Sequence, residues 1–133
     1  MIVYSNSREI TAEQLATLFI NSGIHRPFKD IPRLRKMIKN ASIIWTAWNE
    51  QDELIGVARA ITDFSYACYL SDLAVDKKYQ RQGIGKSLVE KLRNQIGPDV
   101  SLVLLAAQSA MNYYPKLQFE HIDNAFLKHR RSF

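Results

Sequence analysis

Cysteine is almost absent from this sequence: Cys68 is the single one in 133 residues and cannot form an internal disulfide. No apolar run approaches the roughly 20 residues that cross a bilayer. The first residues also lack the basic segment followed by an apolar one that marks a secretory signal. We therefore expect a cytoplasmic protein with no membrane partner, in which Cys68 is a buried strand thiol.

Repeats, low-complexity tracts and linker-like segments are also lacking, so the length predicts a single domain over residues 1–133. The net charge of +5 is moderate. Its basic clusters, 33–39 and 128–131, have no interleaved aromatic residues of the kind that stack on bases. A nucleic-acid binder is therefore the most distant of the functions considered.

Apolar periodicity and turn residues predict a mixed α/β chain. Its first half is antiparallel, and 67–107 is a strand–helix–strand unit whose strands are parallel. The run 100–107 is almost continuously apolar, which predicts a strand buried on both faces. The predicted strands are 1–5, 42–48, 54–62, 67–75, 100–107 and one within 119–128; the predicted helices are 11–23, about 30–39, 85–96 and 109–117.

The stretch QRQGIGKS, residues 80–87, suggests a phosphate site of one of three kinds. A nucleoside-triphosphate loop needs a glycine five residues before Gly85, where the sequence has Gln80. A dinucleotide fingerprint needs a third glycine at position 88, which is leucine. A small nucleotide-binding protein is therefore only a distant alternative.

The third interpretation is an anion site at a helix start. A strand ends at Val75, and Gly83 and Gly85 stand where the next helix begins. Without Cβ atoms, glycines let a phosphate approach the free amides of the first helical turn, where the helix dipole favours negative charge. Lysine and arginine side chains at 77, 78, 81 and 86 add positive charge.

Two motifs resemble a known family. Residues 70–92, LSDLAVDKKYQRQGIGKSLVEKL, are similar to the central motif of the GNAT superfamily of acyl-CoA-dependent N-acetyltransferases: a strand, a short loop, [QR]-x-x-G-x-[GA] and a helix. Residues 110–119, AMNYYPKLQF, resemble its second signature, A-x-x-[FY]-Y-x-x-x-G-F. The resemblance implies a three-layer α/β/α fold with a twisted mixed sheet of about six to seven strands and splayed central parallel strands.

The same resemblance implies acetyl-CoA as co-substrate, no metal, and a set of donor-binding residues. Backbone groups of Leu73, Ala74 and Val75 would pair with the pantetheine arm as an added strand does. An amide of Leu73 or Val75 would hold the oxyanion. The residues expected around the pyrophosphate are Arg81, Gln82, Gly83, Ile84, Gly85, Lys86 and Ser87.

Tyr114 falls on the family's tyrosine, which protonates the departing thiolate; the alternative is that Tyr113 and Tyr114 only pack. The sequence departs from the family at Ala107, where asparagine is usual, so Gln108 or Asn112 would supply that contact. It departs again at Gln118, where a glycine is usual, and a positive φ there would strain glutamine.

On the amine side, Asp72 interrupts an apolar strand beside the expected thioester. It is a candidate general base; the alternatives are that it orients a cationic substrate or pairs with Arg59. The segments 20–35 and 60–67 should shape the acceptor pocket, with His25, Arg26, Phe28, Tyr66 and Tyr69 as candidate lining residues. The acceptor is expected to be a primary amine on a small molecule or peptide, and a homodimer is left open. The main rival is a non-catalytic CoA-binding or regulatory module on the same fold.

Overall fold

A computed structural model describes all 133 residues and contains one five-stranded mixed sheet in the order β1-β2-β3-β4-β5. The first four strands are antiparallel, and β4 and β5 are parallel. The predicted mixed α/β class is thereby confirmed. The elements are β1 Val3–Ser5, α1 Ala12–Ser22, α2 Ile31–Lys39, β2 Ile43–Trp48, β3 Leu54–Thr62, β4 Ala67–Val75, α3 Ile84–Ile96 and β5 Ser101–Val103.

Helices cover both faces of the sheet. On one face α1 and α2 bury Leu15, Phe19 and Leu34 against Val57 and Ala74. On the other, α3 buries its own apolar stripe against β2, β3 and β4. The predicted capping box starts α1: Thr11 Oγ1 accepts from the Gln14 amide, and Gln14 Oε1 accepts from the Thr11 amide. These are the three layers that the resemblance implied.

A glycine in β3 lets α3 lie close to the sheet. A Cβ on Gly56 would lie 3.2 Å from Ala47 Cβ, Ile84 Cγ2 and Leu88 Cδ1. Such a separation is tighter than ordinary side-chain packing, so a larger residue would push the helix outward. The start of α3 is therefore held beside the end of β4, where the glycines of the loop stand.

The hairpin between β3 and β4 is fixed by its own polar side chains. Asp63 Oδ1 accepts from the amides of Ser65, Tyr66 and Ala67. These hydrogen bonds lower the pKa of Asp63, with the Tyr66 amide contributing most. Asp63 therefore stabilises the turn in the way that aspartate does in an Asx turn.

The sheet opens between β4 and β5. Their pairing is limited to Ala67 with Ser101, Cys68 with Leu102 and Tyr69 with Val103. Beyond Tyr69, β4 continues to Val75 with β3 on one side and no strand on the other. We call the unpaired side of residues 70–75 the open edge of β4. It is the splay that the resemblance implied.

The C-terminal third differs from prediction. The strand predicted at 100–107 is limited to Ser101–Val103, and its residues alternate between exposed and half-buried because only Leu102 faces the α3-side core. The helix predicted at 109–117 is two short 3-10 turns, Gln108–Ala110 and Tyr114–Leu117. No strand forms within 119–128, so the sheet has five strands rather than six to seven.

Two smaller expectations hold. Cys68 is 1% exposed, and burial raises the pKa of its thiol, as for a structural cysteine. Gln118 does have a positive φ, of 68°, and it closes the 3-10 turn that ends at Leu117. None of the helices has the length and apolar character needed to cross a bilayer.

The packing of α3 can be tested with Leu88→Ala. Leu88 is fully buried against Gly56, so the truncation leaves a cavity and should lower the free energy of unfolding by about 2–5 kcal/mol. Urea denaturation measures the loss. Glu90→Ala, on the exposed face of the same helix, is the control and should change stability by less than about 0.5 kcal/mol. Equal effects of both substitutions would contradict the packing described.

Candidate active site

The backbone of β4 offers free polar groups along its open edge. The Asp76 amide donates to the Ile55 carbonyl at 2.9 Å, and groups alternate in direction along an antiparallel strand. Ala74 therefore directs its N–H and C=O towards β3, whereas Leu73 and Val75 direct theirs to the open edge. Of the three residues expected to pair with pantetheine, Leu73 and Val75 have the required orientation, and the backbone of Ala74 does not.

The loop after β4 folds back onto the strand. Asp76 accepts from the Lys78 amide at 2.9 Å, and Gln80 Nε2 donates to the Val75 carbonyl at 2.9 Å. Arg81 and Gly83 both have positive φ, 65° and 82°. These turns bring the loop amides to the end of the open edge.

Residues 81–86, here called the glycine loop, carry backbone amides with no acceptor in the protein. The N–H groups of the first helical turn have no carbonyl within the helix to donate to. The first amide of α3 with such a partner is that of Ser87, which donates to the Gly83 carbonyl at 2.9 Å. Ser87 can therefore contact a phosphate only through its hydroxyl. The free amides belong to Arg81, Gln82, Gly83, Ile84, Gly85 and Lys86.

The two glycines of this loop have different surroundings. A Cβ on Gly83 would meet nothing within 4 Å, so this position faces open space. A Cβ on Gly85 would collide with the Tyr113 hydroxyl. The prediction that both glycines make room for phosphate therefore fits Gly83, whereas the space at Gly85 is filled by Tyr113.

An aromatic cluster stands against the start of α3. Tyr114 makes edge-to-face contacts with Tyr113 and Phe119, at centroid distances of 5.2 Å and 5.6 Å. Burial raises the pKa of Tyr114, Tyr113 adds to that rise, and the positive charge of Arg26 opposes it. Tyr114 is thus a half-buried phenol within electrostatic reach of a guanidinium.

A buried ionic network joins β3, β4 and the loop between α1 and α2. Asp72 has no exposed side-chain surface; its Oδ1 accepts from Arg26 Nε and its Oδ2 from Arg59 Nε, both at 2.5 Å. Arg59 also donates to Ser71 Oγ at 2.8 Å, and Arg26 to the Ser71 carbonyl at 2.7 Å. We call Arg26, Arg59, Asp72 and Ser71 the edge network.

This arrangement matches one of the three roles that the sequence left open for Asp72, the pairing with Arg59. Both carboxylate oxygens accept charge-assisted hydrogen bonds and the side chain has no exposed surface, so a cationic substrate does not reach Asp72 in this conformation. The contacts seen are those of a paired, buried carboxylate, and the general-base role of Asp72 stays a prediction. The second partner, Arg26, has no sequence signal that pairs it with Asp72.

The other candidate residues are more scattered. Tyr66 is 80% exposed at the hairpin tip, and Phe28 packs against the α1–α2 core. His25 stacks on Phe133 at 4.6 Å. Asn112 lies exposed between the two 3-10 turns, so its contact to the donor stays a prediction.

Comparison with known proteins agrees with this geometry. The model of the acetyltransferase (GNAT) domain family matches residues 8–133. A curated relative, the histone acetyltransferase TAP1 of Glycine max, is 32% identical over 131 residues, covering 90% of this chain and 56% of the relative. The chain thus spans about half the length of that relative.

Solved structures share the fold. A probable acetyltransferase of unknown function from meticillin-resistant Staphylococcus aureus has a TM-score of 0.79 at 26% identity, over 97% of this chain and 100% of the other. The GNAT family N-acetyltransferase YhbS of Escherichia coli, solved in complex with CoA, has a TM-score of 0.71 at 20% identity, over 90% and 68%. This chain belongs to the GNAT acetyltransferase family.

Asp72→Asn tests the edge network. The substitution removes the shared negative charge and leaves two guanidinium groups without a counter-ion, so it should lower the free energy of unfolding by about 3–5 kcal/mol. Chemical denaturation measures the loss. Asp52→Asn is the control, because its ion pair with Arg8 is exposed and contributes at most about 1 kcal/mol. Unchanged stability of Asp72→Asn with an altered pH–rate profile would instead support the general-base role.

Proposed function

We propose that this protein transfers an acetyl group from acetyl-CoA to a primary amine by direct attack in a ternary complex. The observation that carries the proposal is the continuity of two backbone features. The open edge of β4 ends at Val75, and the free amides of the glycine loop begin at Arg81. One extended ligand with a peptide-like arm and a pyrophosphate would satisfy both.

The donor would lie along β4 as an added strand. The pantetheine amides would pair with Leu73 and Val75, and the pyrophosphate would accept from the glycine-loop amides at the positive end of α3. The Gln80 side chain must share or release the Val75 carbonyl for that pairing. CoA in the Escherichia coli relative supports this choice of donor.

The reaction would proceed by addition and elimination. The neutral amine attacks the thioester carbon, and the carbonyl oxygen becomes an oxyanion held by the outward N–H of Leu73 or Val75. Collapse breaks the carbon–sulfur bond, Tyr114 donates its proton to the leaving thiolate, and the amine releases its extra proton to water. The products are an amide and free CoA, and Tyr114 is reprotonated from solvent.

A CoA-binding module without catalysis is the rival function on the same fold. It shares the open edge and the glycine loop but requires nothing of Tyr114. Saturable donor binding, no turnover on a broad amine panel and no effect of Tyr114→Phe would favour the rival.

Gly83→Glu tests the donor site. The carboxylate would occupy the open space expected to receive phosphate and would repel it, so calorimetric titration with acetyl-CoA should show binding weakened at least about 100-fold. Gly97→Glu is a matched control at the other end of α3, with a φ of 83° against 82° and equally open surroundings. It adds the same charge, and its ψ of 173°, against 8° at Gly83, makes it the more strained substitution, so backbone strain cannot explain a loss of affinity seen only in Gly83→Glu. Equal affinities of the two variants would refute the anion site.

Tyr114→Phe tests the acid. We expect turnover to fall about 10²-fold or more with little change in the Kd for acetyl-CoA, because the hydroxyl acts only on the leaving group. Tyr113→Phe is the paired control. Because burial raises the pKa of Tyr114 above the ordinary 10.0, the phenol stays protonated through neutral pH. Loss of the phenol proton should therefore lower kcat only above about pH 10. Equal losses of turnover and donor affinity would make Tyr114 a packing residue.

A further inference from the structure

The edge network carries more positive than negative charge. Two guanidinium groups face one carboxylate, which leaves one positive charge in excess. Asp72 and Arg59 are nearly inaccessible, at 1% and 7% exposure, whereas the Arg26 side chain is 28% exposed. The excess charge is therefore presented to solvent through Arg26.

Arg26 also keeps hydrogen-bond donors for a ligand. A guanidinium has five N–H groups. Nε donates to Asp72, one N–H of Nη1 to the His25 carbonyl at 2.7 Å, and one N–H of Nη2 to the Ser71 carbonyl at 2.7 Å. One N–H on each terminal nitrogen has no protein acceptor, and charged N–H donors of this kind bind carboxylate or phosphate.

The location of Arg26 is the acceptor side of the proposed reaction. Its contact with the Ser71 carbonyl lies on the open edge, two residues before Leu73. The same charge acts on Tyr114. Arg26 belongs to the loop between α1 and α2, so it connects that loop with the open edge of β4 and with the proposed acid.

The carboxylates of β4 and its hairpin are engaged within the protein. Asp72 is paired with both guanidinium groups and has no exposed side-chain surface, and Asp63 holds the hairpin turn at the far end of β4. A strongly basic acceptor would be repelled by the excess positive charge of Arg26. An acceptor with an anion near its amine would be attracted instead.

We propose that Arg26 is a specificity-determining residue that selects amine acceptors carrying a carboxylate or phosphate near the reacting amine. The inference rests on the proposed acetyltransferase function. The anionic group beside the amine could belong to either of two acceptors: a small anionic amine, or a lysine flanked by acidic residues in a peptide.

Matched acceptors test the proposal in two arms. The first compares O-phosphoethanolamine with ethanolamine and tyrosine with tyramine; the second compares peptides with one lysine flanked by glutamate or by arginine. We expect the anionic member of at least one arm to have kcat/KM at least about tenfold higher, and the arm concerned identifies the source. In Arg26→Gln the ratio should fall to within about threefold, and Arg26→Lys should keep a preference of the same sign.

Lys36→Gln is the control for net charge, because Lys36 is an exposed residue of α2 outside the segments expected to shape the acceptor pocket. It should leave every ratio unchanged. Thermal unfolding of each variant separates a folding defect from a change of specificity, and Arg26→Lys retains the charge if Arg26→Gln unfolds. The inference would be overturned, with the function intact, if the anionic member had no higher kcat/KM than its comparison molecule in either arm. A kcat/KM ratio unaffected by Arg26→Gln would overturn it as well. No turnover of any acceptor by the wild-type protein would refute the proposed function and the inference with it.

Discussion

The parting of β4 from β5 after Tyr69 is the constraint on which the rest of the structure depends. Backbone N–H and C=O groups need partners, and in most sheets the next strand supplies them. Here the outward groups of Leu73 and Val75 have no strand to pair with. The protein satisfies part of this edge itself, through Gln80 on the Val75 carbonyl and Arg26 on the Ser71 carbonyl. What remains between those two contacts is a short segment of edge open to a ligand.

The edge network explains how an irregular strand can hold that segment in place. The β3–β4 pairing shifts register between Arg59 and Ala60, close to Ser71 and Asp72. Burying Asp72 carries a desolvation cost that only well-aligned partners offset. Two guanidinium groups meet that requirement and bind the bulged strand, the neighbouring strand and the α1–α2 loop together. A hydrophobic residue at position 72 could fill the space but could not fix the direction of the Ser71 carbonyl.

Local patterns predicted most of the fold. The capping box at Thr11, the helical stripe of α3 and the hairpin strands are short-range features, and the structure contains them. The C-terminal third was harder, because an apolar run such as 100–107 has the same pattern whether one or both of its faces are covered. Only the tertiary arrangement shows that one face of β5 packs on the core while the other is exposed.

The candidate site divides in the same way. The glycine loop and Tyr114 could be proposed from sequence because each belongs to a motif of consecutive residues, 70–92 and 110–119. The pairing of Asp72 with Arg59 could be weighed as an alternative, because both stand on predicted strands. Arg26 could not be joined to them: it lies in a loop, 46 positions before Asp72, and the contact depends on how α1 and α2 pack. Likewise, the different surroundings of Gly83 and Gly85 depend on the distant Tyr113.

That contact between Tyr113 and Gly85 links the two family motifs physically. The first motif accepts glycine or alanine at position 85, but in this chain an alanine methyl would displace the Tyr113 ring. An alanine at position 85 therefore requires the Tyr113 side chain to move or a smaller residue to replace it. Among homologues, alanine at the position of Gly85 should accompany a smaller or differently oriented residue at the position of Tyr113. Covariation between these sites would record a packing constraint, separate from any shared role in catalysis.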